Sequence, residues 1–85
     1  MIITNNIIIM AKFTIGQVVQ LNSGGPEMTI SNVIDSENPG QWKLYVLRWK
    51  AENPYAKVWY QTQWFEGKEL KKEIFIEEVL CAVEG

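Results

Sequence analysis

Few side chains in this sequence could carry out acid–base or nucleophilic chemistry. The 85 residues contain no histidine and a single cysteine, although histidine is the commonest general base near neutral pH and zinc sites need several histidine or cysteine ligands. Cys81 lies in the apolar run Val79–Val83, which predicts a small buried hydrophobe and not a nucleophile. The glutamates from Glu66 to Glu78 alternate with lysines, as on a solvated surface. We therefore predict that the protein is not an enzyme and has no catalytic residue, cofactor or metal.

A glycine-rich stretch, Ser23-Gly24-Gly25-Pro26, has the composition of a phosphate-binding loop. A phosphate loop also needs a lysine and a following helix, whereas the next residues, Met28-Thr29-Ile30, have the pattern of a strand. Two glycines permit positive φ and the proline fixes its own φ. We therefore predict that Gly24, Gly25 and Pro26 form a structural turn between two strands and bind no ligand.

The aromatic residues are concentrated in one part of the chain. Eight of the ten lie between Trp42 and Phe65, in two apolar runs that predict strands over Gln41–Lys50 and Ala56–Phe65. We call this predicted pair the aromatic hairpin. Alternation along its second strand places Tyr60 in the core and points Trp59 outward. The alternative is that the hairpin folds over and buries its aromatics as a satellite cluster, and the sequence leaves both open.

Exposed tryptophans among polar neighbours are typical of binding surfaces. We therefore predict a non-catalytic module that binds a protein or peptide, or a second copy of itself, through the aromatic hairpin. The candidate contact residues are Trp42, Trp49, Trp59, Tyr55 and Lys57.

A nucleic-acid-binding module is the alternative function. In it, Trp59 and Tyr55 would stack on bases. The cations of the hairpin would contact phosphates: Lys43, Arg48, Lys50 and Lys57. The net charge of −2, from eight basic and ten acidic residues, counts against it because phosphate binding needs a concentrated positive surface. We expect no membrane partner.

The remaining elements are short. Strands are predicted over Gln17–Leu21, Glu27–Ile34, Lys68–Ile76 and Cys81–Val83, with one helical turn over Ile76–Leu80. Several short strands with tight connections indicate a mostly β protein, and closure would remove vulnerable edges. We predict a small SH3-like barrel of about five antiparallel strands, with an oligonucleotide-binding barrel as the second choice.

The first eleven residues form a separate predicted unit. Residues 1–11 are expected to be an N-terminal extension, either frayed or added as a strand to a free sheet edge, ahead of a single domain over residues 12–85. No positively charged segment precedes the apolar residues, so a secretory signal is not expected. The lone cysteine suits a reducing compartment, and we predict a cytoplasmic protein.

The first part of the domain has the spacing Phe13-x-x-Gly16-x-x-Val19-x-Leu21-x-Ser23-Gly24-Gly25-Pro26-x-Met28-Thr29. Two later motifs are Trp64-Phe65-x-Gly67 and a Phe75-x-Glu77-x-x-Leu80 ending. Together these motifs resemble the YodC-like family of small uncharacterised bacterial proteins. The resemblance implies a bacterial origin and brings no established activity. Residues 35–54 look like an insertion that enlarges the central hairpin. Tyr60-Gln61-Thr62-Gln63 also lacks the cysteine that the family tends to carry before its Trp-Phe pair.

Overall fold

The computed structural model of the protein describes residues 11–84. It is mostly β, with five antiparallel strands in one sheet in the order β4-β3-β2-β1-β5. The strands are β1 (Val18–Leu21), β2 (Gly24–Asp35), β3 (Val58–Glu66), β4 (Glu69–Ile76) and β5 (Leu80–Ala82). A 3-10 turn (Gly40–Trp42) continues into the helix α1 (Lys43–Glu52), and a second 3-10 turn (Glu77–Val79) precedes β5. The predicted helical turn before the last strand is confirmed.

The first hairpin joins β1 to β2 through a two-residue turn. Leu21 pairs with Gly24, so Asn22 and Ser23 form the turn itself and the two glycines open β2. Both glycines have positive φ, 107° at Gly24 and 102° at Gly25, which residues with a Cβ adopt only at a cost. The turn therefore lies two residues before the predicted position. The prediction that the two glycines adopt positive φ is confirmed.

A β-bulge divides β2 into two halves that face opposite ways. Ile30 pairs with Thr62, but Asn32 pairs with Gln61, so Ser31 is an extra residue on β2. One inserted residue moves all later side chains to the other face of a sheet. Ile30 therefore points to the main core, whereas Ile34 points to the face that α1 covers. Strict alternation along Glu27–Ile34 predicts from the sequence that both side chains share one face, and that prediction is wrong.

The segment predicted as the third strand, Gln41–Lys50, is helical. Its apolar positions Trp42, Tyr45, Val46 and Trp49 have the i, i+3, i+4, i+7 spacing of one helix face, and the segment is rich in good helix formers. The helix ends at Glu52, two residues before Pro54, and the N–H of the cap residue Asn53 donates to Trp49 O. The connection between β2 and β3 is thus a helix, and the predicted enlargement of the central hairpin is wrong.

The sheet is not closed into the predicted SH3-like barrel. Within residues 11–84, β4 pairs only with β3, and the three-residue β5 pairs only with β1. Closure would require a ladder between these two strands, and residues expected to supply another strand form α1 instead. The result is an open sheet with two edges, of which β4 is the longer.

Two apolar clusters lie on opposite faces of this sheet. The main cluster consists of Phe13, Val19, Met28, Ile30, Val58, Tyr60 and Leu80. Cys81 points away from it and is exposed, with its Sγ 3.6 Å from Gln20 O, because it neighbours the inward-facing Leu80 on a strand and alternation turns it outward. The prediction that Cys81 is buried is wrong.

Two sequence-based expectations, the N-terminal extension and the absence of a membrane partner, can be compared only with residues 11–84. Of the predicted extension over residues 1–11, only Ala11 is described, and it packs against the main cluster; the predicted added strand lies outside the described residues. In residues 11–84 no helix has both the length and the apolar character required to cross a membrane.

Candidate functional site: an aromatic groove between the helix and the edge strand

The second apolar cluster holds α1 against the outer face of the sheet. Val46 of α1 is buried on Ile34 of β2 and Trp59 of β3, together with Ala56. Trp42, Trp49, Ile74 and Ile76 pack around this centre and remain partly exposed. The helix therefore uses only part of its aromatic surface for folding.

Four aromatic rings run from the helix to the sheet. The ring centroids of Trp42 and Tyr45 are 5.6 Å apart, those of Tyr45 and Trp49 are 5.8 Å apart, and those of Trp49 and Trp59 are 5.7 Å apart. These separations fall in the range of favourable aromatic pairs. Trp59 is 2% exposed, Trp49 and Trp42 are partly exposed, and Tyr45 between these two is 53% exposed. The row thus has a buried end that fixes it to the sheet and an exposed part that a partner can reach.

An open groove of about 620 Å³ lies between α1 and β4, and we call it the aromatic groove. Its walls are the four aromatic rings together with Ile74 and Ile76. Its polar lining includes two cations and two anions, namely Arg48, Lys72, Glu52 and Glu73. In residues 11–84 none of these four is in an ion pair. The groove therefore combines aromatic and aliphatic side chains with polar groups and charges of both signs.

Three of the five predicted contact residues lie together in the aromatic groove, and the other two lie outside it. Trp42, Trp49 and Trp59 all line the groove. Trp59 lies on the predicted face of β3, opposite the core residue Tyr60, but α1 covers that face and the predicted exposure of Trp59 is wrong. Tyr55 is 91% exposed, and neither it nor Lys57 lines the groove. The satellite cluster left open by the sequence is thus present, built by a helix in place of a hairpin.

Sequence reasoning missed several residues of the groove. Tyr45 and Arg48 join Trp49 only because α1 is a helix, and the i, i+3, i+4, i+7 spacing of its aromatics was the available signal. Lys72 and Glu73 come from β4, twenty residues further along the chain, and no local pattern links them to the helix. Only the antiparallel pairing of β3 with β4 brings them there.

The groove provides surface for contact with a partner, and its described residues form no metal-binding cluster and no nucleophile–base pair. Residues 11–84 contain no cluster of three or more potential metal ligands. The carboxylates and cations of the groove lining do not form pairs with one another, and the one thiol, Cys81, lies on β5 away from this lining. What this arrangement can do is bury apolar side chains and pair with charges of a partner.

The fold and the groove define a class of protein: a small open antiparallel sheet with a helix packed on its outer face, leaving an aromatic groove beside an edge strand. The chain belongs to the DUF2158 family of uncharacterised small proteins, whose family model matches residues 14–80. That match spans β1 through the first residue of β5 and includes every groove residue. No curated protein and no solved structure gives a significant match to the chain.

Proposed function

We propose that this protein is a non-catalytic binding module that holds a polypeptide segment of a partner in the aromatic groove. The observation that carries the proposal is the row of Trp42, Tyr45 and Trp49, which stays partly open to solvent above the buried Trp59. Tryptophan and tyrosine are the residues most enriched among those that dominate binding energy. The helix packs on the sheet through Val46 and through one side of Trp42 and Trp49. The exposed parts of these two rings and the Tyr45 ring are therefore available to a partner.

The shape and charge of the groove favour a polypeptide. Protein interfaces usually combine aromatic and apolar side chains with polar groups. Arg48 and Lys72 can pair with carboxylates of a partner, and Glu52 can pair with its cations. A bound segment with apolar side chains flanked by charges of both signs therefore matches the lining.

The nucleic-acid alternative has less support. Trp59, its proposed stacking residue, is 2% exposed and packs under Trp49, so it has no free face for a base. The groove lining contains two carboxylates as well as two cations, which does not give the continuous positive track that phosphate binding uses. Tyr55 and Lys57 remain exposed, and the titration below separates the two functions.

The test is selection of binding peptides from a random library displayed on phage, using the full chain as bait. We expect peptides with aromatic or aliphatic residues, and we expect the change Tyr45→Ala to weaken their binding about tenfold or more, as for an interface residue of high contribution. Leu44→Ala is the matched control, because Leu44 is 78% exposed on the same helix and does not line the groove. Isothermal titration of selected peptides measures both affinities.

Two results would contradict the proposal. Selected peptides that bind wild type and Tyr45→Ala equally well would place binding outside the groove. Failure to select any peptide, combined with affinity for single-stranded RNA or DNA that falls steeply with salt, would favour the nucleic-acid function.

The finer assignments belong to the same proposal. The Ser-Gly-Gly-Pro-x-Met-Thr pattern over residues 23–29 supports membership of the YodC-like group of bacterial proteins. A cytoplasmic location is proposed on the single cysteine, which suits a reducing compartment.

A further inference from the structure

The edge strand β4 has a free side that no other strand covers within residues 11–84. It is eight residues long, Glu69–Ile76, and every second residue along it directs its backbone N–H and C=O away from β3. Such an edge pairs readily with another strand unless charges or a bulge prevent it. The described ladder between β3 and β4 has no bulge, so the side chains decide what can pair here.

The side chains of β4 are complementary to a second copy of the same strand in one register. If two copies pair antiparallel about a two-fold axis at Lys72, residues i and j face each other when their numbers sum to 144. Leu70 then faces Ile74 twice, and Lys71 faces Glu73 twice. Both pairs join residues of the same sheet face, as an antiparallel ladder requires.

Neighbouring registers are worse. An axis at Lys71 places Glu69 opposite Glu73 twice, and an axis at Glu73 places Glu69 opposite Glu77 twice as well as Glu73 opposite itself. Like charges directly opposite each other destabilise a strand pair. The register about Lys72 contains one like-charge contact, Lys72 with its own copy on the axis. The charge pattern therefore selects one register of the three.

The charged residues of this register are available in the single chain. Glu73 is exposed and has no ion pair in residues 11–84. Lys71 lies 3.2 Å from Glu69 and 3.9 Å from Glu66, and both carboxylates are largely exposed. Exposed pairs of this kind contribute little to stability, so Lys71 can exchange them for Glu73 of a second copy at small cost.

We propose that the protein forms a two-fold dimer through its β4 edges, with the occupant of each edge being β4 of a second copy in the register about Lys72. The two sheets then form one continuous sheet of ten strands. A two-fold axis perpendicular to the sheet keeps the same faces on the same side, so both α1 helices and both aromatic grooves lie on one surface of the dimer. This proposal does not rest on the function proposed for the groove.

The experiment is sedimentation equilibrium over a wide concentration range, using the full chain. The average mass is expected to rise with concentration from 9.8 kDa toward twice that value. Glu73→Lys turns two attractive pairs into two repulsive pairs, so we expect the dissociation constant to rise about tenfold. Glu37→Lys makes the same change of charge on an exposed loop residue away from β4 and should leave the constant unchanged.

Two further variants separate register from general charge. Lys71→Glu alone should weaken the dimer as Glu73→Lys does, and the double variant with both changes should restore it, because the opposite charges face each other again. Lys72→Met removes the like-charge contact on the axis and should lower the dissociation constant about three- to fivefold. Circular dichroism checks that each variant keeps its fold.

Three outcomes would overturn the proposal. One is a constant mass of 9.8 kDa for both wild type and Lys72→Met at every concentration. Another is a dimer that Glu73→Lys does not weaken, or that the double variant does not restore. The third is a monomer in which the β4 amides that point away from β3 are protected from hydrogen exchange, which would assign the edge to another segment of the chain. Each of these outcomes is measured without peptide, and the groove test at Tyr45 changes no residue of β4, so the two proposals fail separately.

Discussion

Tyr60 connects three parts of the chain through one hydroxyl group. Its side chain is fully buried, its O–H donates to Glu77 Oε2 at 2.5 Å, and it accepts a bond from the Phe13 N–H at 3.2 Å. Glu77 Oε2 also accepts from the Lys12 N–H at 2.9 Å. The hydroxyl thus holds the entry segment of the domain against β3 and the turn before β5. Its bond from the Phe13 N–H is buried, so water does not replace that bond when it is lost.

Removing this hydroxyl should destabilise the protein. Tyr60→Phe leaves the buried Phe13 N–H without its acceptor, so we expect a loss of about 1–3 kcal/mol in the free energy of unfolding, measured by urea denaturation. Tyr45→Phe is the control, since the Tyr45 ring lies open at the groove. Equal stabilities of the two variants would show that the Tyr60 network contributes nothing.

The same group predicts how stability depends on alkaline pH. Burial first, and then the hydrogen bond to Glu77 and its negative charge, raise the pKa of Tyr60 well above its usual range. The unfolded chain releases this proton near its ordinary pKa of about 10. The stabilisation is therefore complete below about pH 10 and is lost as pH rises from there toward the folded pKa, with a slope of about 1.4 kcal/mol per pH unit. Tyr60→Phe should lack this component of the decline.

Gly24 and Gly25 are needed because of their backbone conformation, and not because a side chain at either position would collide with a neighbour. Nothing lies within 4 Å of a Cβ placed on either residue, but both have positive φ. Replacing either by valine should cost about 1–3 kcal/mol of stability. Glu27→Val at an exposed position of the same strand, where φ is negative, should cost far less. Loss of peptide binding at unchanged stability would contradict a structural role for the glycines.

At the scale of elements, α1 determines what the aromatics do. Alternation along β3 correctly divided its residues into two faces, with Tyr60 on the core side and Trp59 on the other. Exposure of the second face depended on what covered it, and the covering element is the helix. The buried residues of α1 have the period of a helix, and Leu44 and Leu47 are apolar although they are exposed. With these two leucines included, the same segment read as a strand has apolar residues on both faces.

A substitution at Leu47 tests the helix without touching the groove. Its side chain is 62% exposed, so replacing it mainly changes backbone preference. Glycine costs about 1 kcal/mol more than alanine inside a helix, and we expect that difference between Leu47→Gly and Leu47→Ala in thermal or urea unfolding. A strand would favour the β-branched valine over alanine, so a Leu47→Val variant more stable than Leu47→Ala would contradict the helical assignment.

At the scale of the whole molecule, the sheet is covered on both faces but open at its long edge. The main cluster occupies one face and the cluster under α1 occupies part of the other. The aromatic groove lies where the cover of the second face stops, beside β4. A partner segment in the groove and a second copy at the edge would therefore meet the same strand from different sides, the first over the sheet face and the second along its border.

The sequence by itself determined the β class, all five observed strands to within a few residues, the first hairpin with its glycines and the turn before β5. It also indicated a family of uncharacterised small proteins. These features depend on local patterns: alternation, turn residues and spacing. The apolar residues of 41–50 fit both a helix and a strand, and the choice between the two was decided by tertiary structure, as were the open sheet and the inward direction of Ile34 and Trp59. The bulge at Ser31 reverses alternation without changing composition, and α1 gains its stability from packing on the far face of the sheet. Such contacts join residues distant in the chain, so no local pattern records them.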